Sequence, residues 1–211
     1  MYSYSKRLAE ELVRDASGTG LEAVILRPKA VFGPGDQALL PRLLRAAQLN
    51  RLPQIGNGRN RVDLTYVGNV VDAILLAIDQ PDVEGQTFVI TNDEHPLLWE
   101  VIRSVCCELG YGHRFRSIPV PVAWAAATAM EWRARVLGGE PLMTRYSVAI
   151  LARTQTYDIS SSKQRLGYRP QVSLWDGIEL TLNSLIQSCR FSAESHLPPQ
   201  STCPKVTQLD G

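Results

Sequence analysis

The sequence predicts an α/β protein: a parallel sheet carrying helices, joined to a small, mostly helical lobe. Three observations carry this. Residues 1–17 read as an amphipathic helix, with Leu8, Ala9, Leu12, Val13 and Ala16 at helical spacing and Arg7, Glu10, Glu11 and Arg14 on the polar faces. Residues 21–27, Leu-Glu-Ala-Val-Ile-Leu-Arg, form a run of strand length that is nearly all apolar apart from Glu22. That composition suits a strand buried on both faces of a parallel sheet. Residues 86–91, Gln-Thr-Phe-Val-Ile-Thr, form a second β-rich run.

In chain order, Gly18 and Gly20 stop the first helix. Residues 28–36 (Pro-Lys-Ala-Val-Phe-Gly-Pro-Gly-Asp) are a turn-rich loop directly after the first strand. Functional loops sit at the carboxyl ends of such strands, so this loop is expected to line a site. A helix is expected over residues 38–49, with Leu39, Leu40, Leu43, Leu44 and Ala47 on its apolar side. Gly56-Asn57-Gly58 reads as a tight turn and not a phosphate loop, because no helix N-terminus follows it directly. Residues 61–66 are a short extended piece. The next helix opens at Val67, with Asn69 or Gly68 as its cap and Val70, Ala73, Ile74 and Ala77 as its buried stripe.

After the second strand, residues 92–96 turn and residues 97–109 form an amphipathic helix ended by Gly110. Cys106 and Cys107 in that helix read as packing residues, since no basic partner is evident. A short strand at 114–118, an apolar helix at 122–137, a Gly138-Gly139 break and a helix at 144–152 follow. Trp124, Met130, Trp132 and Met143 either line an apolar pocket there or form the core of the lobe. Residues 157–170 contain a short helix capped by Ser160 or Ser161 and ended by Gly167, and a last helix runs over 173–187. From Phe191 onward Ser, Pro, Gln and Thr dominate, and disorder is expected. The resulting division is 1–110 for the sheet domain, 111–190 for the lobe and closing helices, and 191–211 for the tail.

The 211 residues are 45% hydrophobic and 20% charged, ordinary for a globular protein. A net charge of +1 gives no reason to expect nucleic acid or an anionic membrane as partner. The four cysteines and three histidines show no metal-ligand spacing, so no metal is expected. Reduced thiols and a cytoplasmic setting are expected. The apolar stretch 118–130 carries two prolines and falls short of the roughly 20 residues of a spanning helix. A lobe helix is the first reading of it, and peripheral membrane contact the second.

The chemistry lies at the start. Tyr2 and Lys6 are four apart, one turn along the same face of a helix. An ammonium beside a phenol favours phenolate and lowers the tyrosine pKa from about 10. Tyr4 points to nearly the opposite side from Lys6. Tyr-x-x-x-Lys alone is equally the frayed terminus of a solvated helix. Two further motifs change that: Leu26-Arg-Pro-Lys-Ala-Val-Phe-Gly-Pro-Gly-Asp36 and Arg61-Val-Asp-Leu-Thr-Tyr-Val-Gly-Asn-Val-Val-Asp-Ala73.

In this order, from Tyr2 to about Leu185, the motifs resemble the extended short-chain dehydrogenase/reductase superfamily, and most closely its 3β-hydroxysteroid dehydrogenase/isomerase branch. Tyr157-Asp-Ile-Ser-Ser-Ser-Lys-Gln-Arg-Leu-Gly-Tyr-Arg-Pro170 resembles the late pattern of the same family. The resemblance implies the C-terminal portion of a Rossmann-like doubly wound parallel sheet plus a small, mostly helical substrate lobe. It implies Tyr2 as proton donor and acceptor, and Lys6 as the group that lowers the Tyr2 pKa and binds the nicotinamide ribose. Pro28, Lys29 and Val31 are implied to meet the nicotinamide end of NAD or NADP. Arg61 either holds a diphosphate, as in sugar-nucleotide relatives, or is a structural surface arginine.

The implied substrate is an apolar secondary alcohol or ketone, steroid- or sterol-like. The alternatives are a sugar-nucleotide epimerase or dehydratase and a non-catalytic truncated relative. The family's glycine-rich pyrophosphate turn is not in the sequence, which therefore reads as the C-terminal part of a longer enzyme, inactive alone. A homodimer through residues 3–16, with Leu8 and Leu12 at the interface, is a further expectation of the resemblance.

Overall fold

The computed structural model describes residues 2–36, 41, 53–111, 115–139, 141 and 143–194, with backbone alone for residues 2, 3 and 189–194. The helix expected at 38–49 lies outside the described residues, apart from Pro41, as does the tail beyond residue 194. The chain divides into two compact units, each assembled from three separate segments.

The first unit comprises Met1–Gly33, Leu64–Glu94 and Tyr157–Gly177. It opens with α1 (Tyr2–Ser17), as the periodicity predicts. The strand that follows, β1 (Ile25–Pro28), starts later than the apolar run does. Residues 18–24 are spent on the turn: Leu21 donates its backbone N–H to the Ala16 carbonyl, and Gly85 donates to that of Ala23. β1 pairs in parallel with β5 (Thr87–Ile90), in the register Ile25↔Thr87 to Pro28↔Ile90. Two shorter strands, β2 (Val31–Phe32) and β4 (Thr65–Tyr66), pair in parallel in the same unit. β1 is half-buried, not buried on both faces as its composition suggests.

Between the two pairings the chain kinks at Ala30, whose φ is +42°. Lys29 still donates its N–H to the Ile90 carbonyl, while Thr65 donates its own to the Ala30 carbonyl. The kink thus hands the backbone from one partner strand to the next. The Thr65 hydroxyl sits at the hand-over, accepting from the Lys29 N–H at 3.3 Å and reaching the Lys29 and Ile90 carbonyls at 2.5 and 3.1 Å.

Helix α2 (Val67–Asp79) follows β4 without a side-chain cap. Asn69, expected as the cap, is instead fully buried. Its amide donates to the Asn92 side-chain oxygen at 2.9 Å and to the Val172 carbonyl at 2.8 Å, and its own oxygen accepts the N–H groups of Gln171 and Val172. Buried donors and acceptors need partners, and this one amide finds four across more than 100 residues of chain. Of the stripe expected on α2, Ala73 is buried, Val70 and Ala77 are half-buried and Ile74 is exposed.

The core of this unit joins Ala73, Val83, Phe88 and Ile90 to Ile159, Leu166 and Tyr168. The last three flank α6 (Ser160–Arg165). Ile159 is its N-cap, not a serine; Asp158 accepts from the Ser160 N–H at 2.8 Å. Ser162 donates to the Val89 carbonyl and Tyr168 to that of Thr91, which pins this segment along β5.

The second unit comprises Pro34–Asp63, His95–Thr156 and Ile178–Gly211. It carries β3 (Gln54–Ile55) paired in parallel with β6 (Ser117–Ile118), and helices α3 (Leu98–Glu108), α4 (Val120–Leu137) and α5 (Arg145–Ala152). Ile55, Ala123, Ala127 and Val148 form its cluster, with Ile118 and Met143 packed against it. Met143 is lobe core, whereas Trp124 and Trp132 are exposed. Cys106 is buried in α3, which pushes its thiol up to about 11; Cys107 is exposed and does not pack. The last helix, α7 (Leu174–Glu194), begins in the first unit and runs past the expected end at 187 and into the expected tail. Among the described residues no helix is long and apolar enough to cross a membrane, and no group of His, Cys, Asp and Glu could hold a metal ion.

Candidate active site

Two contacts between α1 and the sheet fix how the helix lies. Arg14 reaches the Thr87 hydroxyl at 3.3 Å, and Thr87 is the register partner of Ile25 at the start of β1. Glu10 takes a bidentate grip from Arg27, with Arg27 Nε 2.8 Å from Glu10 Oε1 and Arg27 Nη2 on Oε2. The charge-assisted bonds hold the Glu10 carboxyl below its usual range and raise the Arg27 guanidinium further. Four helix residues rise about 6 Å, close to the roughly 6.6 Å of two strand residues. The helix therefore runs antiparallel to β1, with Arg14 near its start and Glu10 beside Arg27; the same step carried one turn on would bring Lys6 toward Lys29. The backbone of Tyr2 comes one turn further, beyond the carboxyl end of the strand, where functional groups of open α/β sheets collect.

This places the sequence-predicted residues as follows. Tyr2 opens α1, and Lys6 is exposed one turn behind it. Pro28 ends β1 opposite Ile90. The Lys29 peptide is engaged at both ends by Ile90 and Thr65, so its side chain is what it presents outward. That ammonium lies over the Tyr157 ring, 4.2 Å from its centroid. Partial burial lowers the Lys29 pKa, with Arg27 adding repulsion and Glu10 partly offsetting it. Val31 is half-exposed in β2. Arg61 belongs to the second unit, where its guanidinium donates to the His95 carbonyl at 2.6 Å.

Sequence reasoning did not single out Thr65, Tyr157 or the Glu10–Arg27 pair as site-forming. It also gave no sign that His95 Nδ1 lies 2.5 Å from Oδ1 of the buried Asp63. These partners are 17 to 36 residues apart or further, and no local spacing announces them. A groove of about 510 Å³ opens between residues 22–26 and the far end of α2, lined by Glu22, Val24, Leu26, Ile74 and Ile78 among others. It lies at the amino end of β1, away from Lys6 and Lys29, and carries none of the site's groups.

The residues present fit the nicotinamide half of a dinucleotide. An ammonium such as that of Lys6 suits ribose hydroxyls, and the chain kinks directly after Lys29, at Ala30. A family model for the 3-beta hydroxysteroid dehydrogenase/isomerase family matches residues 1–121. The chain is 38% identical over 193 residues to a sterol-4-alpha-carboxylate 3-dehydrogenase, decarboxylating, of Candida albicans, covering 86% of this chain and 55% of that protein. It is 37% identical over 194 residues to the protein of the same description from Saccharomyces cerevisiae, again covering 86% and 55%. The chain thus spans about half the length of the curated relatives it matches. Among solved structures, a dTDP-glucose 4,6-dehydratase from Streptomyces venezuelae with NAD bound superposes with a TM-score of 0.64 over 90% of this chain and 52% of that one, at 21% identity. That likeness establishes the Rossmann-like α/β fold.

Proposed function

We propose, since the chain belongs to the 3-beta hydroxysteroid dehydrogenase/isomerase family, that it forms the Tyr–Lys half of an NAD- or NADP-dependent dehydrogenase oxidising a sterol-like secondary alcohol to a ketone. The observation that carries this is the stepwise alignment of α1 with β1. Carried on from Glu10–Arg27, that step supports Lys6 beside the Pro28–Val31 segment and Tyr2 one turn beyond the strand end. In this reading Tyr2 accepts the proton of the substrate hydroxyl. Lys6 favours the phenolate and holds the ribose. The bound nicotinamide supplies the acceptor for the hydride leaving the carbinol carbon. Pro28, Lys29 and Val31 bound the nicotinamide face. Arg61, tied to the His95 carbonyl, is better used as a brace for its loop than as a diphosphate ligand, which weighs against the sugar-nucleotide alternative.

The test is Tyr2→Phe in the full-length protein, with a 3β-hydroxysteroid and NAD⁺ or NADP⁺. Turnover is expected to fall by about 10² or more, the usual weight of a general acid–base, while cofactor affinity stays within a few-fold. Tyr4→Phe is expected to be mild, Tyr4 being 73% exposed. A larger loss from Tyr4→Phe would show the motif register to be wrong.

Two smaller readings go with this. The free thiols of Cys106 and Cys107 support a reducing, cytoplasmic setting. Leu8 and Leu12, one turn apart on α1, are 46% and 63% exposed and support a homodimer through residues 3–16. Sedimentation of the full-length protein as a monomer at micromolar concentration would remove the dimer.

A further inference from the structure

We infer that Thr65 is a positioning residue for the cofactor: it clamps the backbone after β1 in the conformation that turns the Lys29–Val31 segment toward the nicotinamide ring. The inference rests on the dehydrogenase reading above. It adds to that reading a side chain with no exposed surface, which reaches no ligand itself and acts through the segment it holds.

The torsion that makes the kink is φ of Ala30, at +42°. This torsion is the rotation between the carbonyl carbons of Lys29 and Ala30. Thr65 holds both of these carbonyls. Its hydroxyl donates to the Lys29 oxygen at 2.5 Å, and its backbone N–H donates to the Ala30 oxygen at 3.3 Å. One residue of the neighbouring strand thus fixes both ends of a single rotatable bond. The same hydroxyl accepts the Lys29 N–H at 3.3 Å, which also reaches the Ile90 carbonyl at 3.1 Å. A hydroxyl has one proton to give, and the shorter contact assigns it to Lys29 rather than to the Ile90 carbonyl at 3.1 Å.

The clamp matters because the conformation it holds is unfavourable. A left-handed backbone crowds Cβ against the carbonyl oxygen in any residue but glycine. Strain of this kind persists where the surroundings over-determine it, and it collects at ligand sites. Without the hydroxyl, the Lys29 carbonyl would lose its buried donor and Ala30 would relax toward negative φ. Two side chains would move with it. Lys29 precedes the kink, its ammonium over the Tyr157 ring at 4.2 Å from the centroid. Val31 follows the kink, exposed in β2 as the register partner of Thr65. In the dehydrogenase reading these two, with Pro28, bound the nicotinamide face. ADP-ribose is the same dinucleotide without that ring, so the effect of Thr65 falls on the ring's share of the binding alone.

The experiment measures, by calorimetry on the full-length protein, the affinity of NADH and of ADP-ribose, or of NADPH and 2′-phospho-ADP-ribose where those are the ligands taken. Thr65→Val keeps the shape and removes the hydroxyl. It is expected to weaken NADH about tenfold, the weight of leaving a buried carbonyl without its donor, while ADP-ribose stays within about twofold. Thr65→Ser returns the hydroxyl and is expected to bring NADH to within about threefold of the native protein. Hydrogen exchange on the native protein guards against a variant that folds poorly: NADH, and not ADP-ribose, is expected to slow the Lys29 amide further. Equal weakening of both ligands by Thr65→Val, weakening of neither, no recovery in Thr65→Ser, or equal protection of Lys29 by both ligands overturns the role of Thr65 and leaves the dehydrogenase reading standing. Failure of the native protein to bind either ligand or to oxidise a 3β-hydroxysteroid overturns that reading together with it.

Discussion

β1 and β5 are partners in one ladder, yet they live in different surroundings. β1 comes from the more apolar stretch, Leu21 to Leu26, and its residues are half-buried, with Pro28 exposed. β5 carries Thr87 and is flanked by Gln86 and Thr91, yet Phe88 and Ile90 have no exposed surface at all. What separates them is company. β5 has α6 laid along it, pinned by Ser162 and Tyr168, with Ile159, Leu166 and Tyr168 filling its face. β1 has α1 across it, and what α1 turns toward the strand is Glu10 and Arg14, not its leucines. A strand's hydrophobicity states what it can bury; the elements packed on it decide what it does bury.

Mutations break the two strands to different degrees. Phe88→Ala removes a fully buried ring and is expected to cost about 3–5 kcal/mol, read as the loss in unfolding free energy by urea titration. Leu26→Ala removes a side chain only partly covered by the same cluster and is expected to cost about 1–2 kcal/mol. Equal losses at the two positions would mean that β1 is as well packed as β5 and would end the contrast.

The smallest effect concerns charge. The Glu10 carboxyl is held below its usual value, chiefly by its hydrogen bond to Arg27. Its contribution is therefore present above the ordinary carboxylate range and is lost as pH falls through the lowered folded value. For a pair this close to solvent that is below about 1 kcal/mol. Glu10→Gln is expected to lower stability at pH 7 by that amount and to flatten the acid limb below about pH 4.5, so that the two curves converge at low pH. An acid limb of unchanged slope would show that Arg27 does not set the position of α1.

Much of this was legible in the sequence, and the limits have physical causes. The helices beginning at Tyr2, Val67, Leu98, Val120 and Arg145 follow from periodicity and from Gly and Pro punctuation, which are local signals. The one-turn spacing of Tyr2 and Lys6 on α1 was legible because four residues make a turn. The start of β1 was not, because the apolar residues before Ile25 serve the turn and edge between α1 and β1. Asn69 looked like a cap because it stands at a helix start, and only Val172, over 100 residues later, reveals it as a tie between segments. The apolar line of α1 does not say what it meets: Leu8 and Leu12 are exposed while charged residues make the contact with the sheet. Lys29 was legible as a loop residue; its seat on Tyr157 depends on a chain segment 128 positions away and has no local mark.

The step-for-step alignment of α1 with β1 makes the site sensitive to length in one place and tolerant in another. The turn between them, residues 18–24, joins elements already fixed by Glu10–Arg27 and Arg14–Thr87. A residue added there changes the path of a surface loop and leaves the levels alone. A residue added between Lys6 and Glu10 turns everything before it by about 100° and lifts it by about 1.5 Å. Lys6 and Tyr2 would then be turned and shifted together relative to β1, although neither had been replaced and every contact of the sheet survived. Four consecutive residues, Arg7 to Glu10, thus set the aim of the proposed Tyr2–Lys6 pair, and an insertion there is expected to disturb it more than one in residues 18–24.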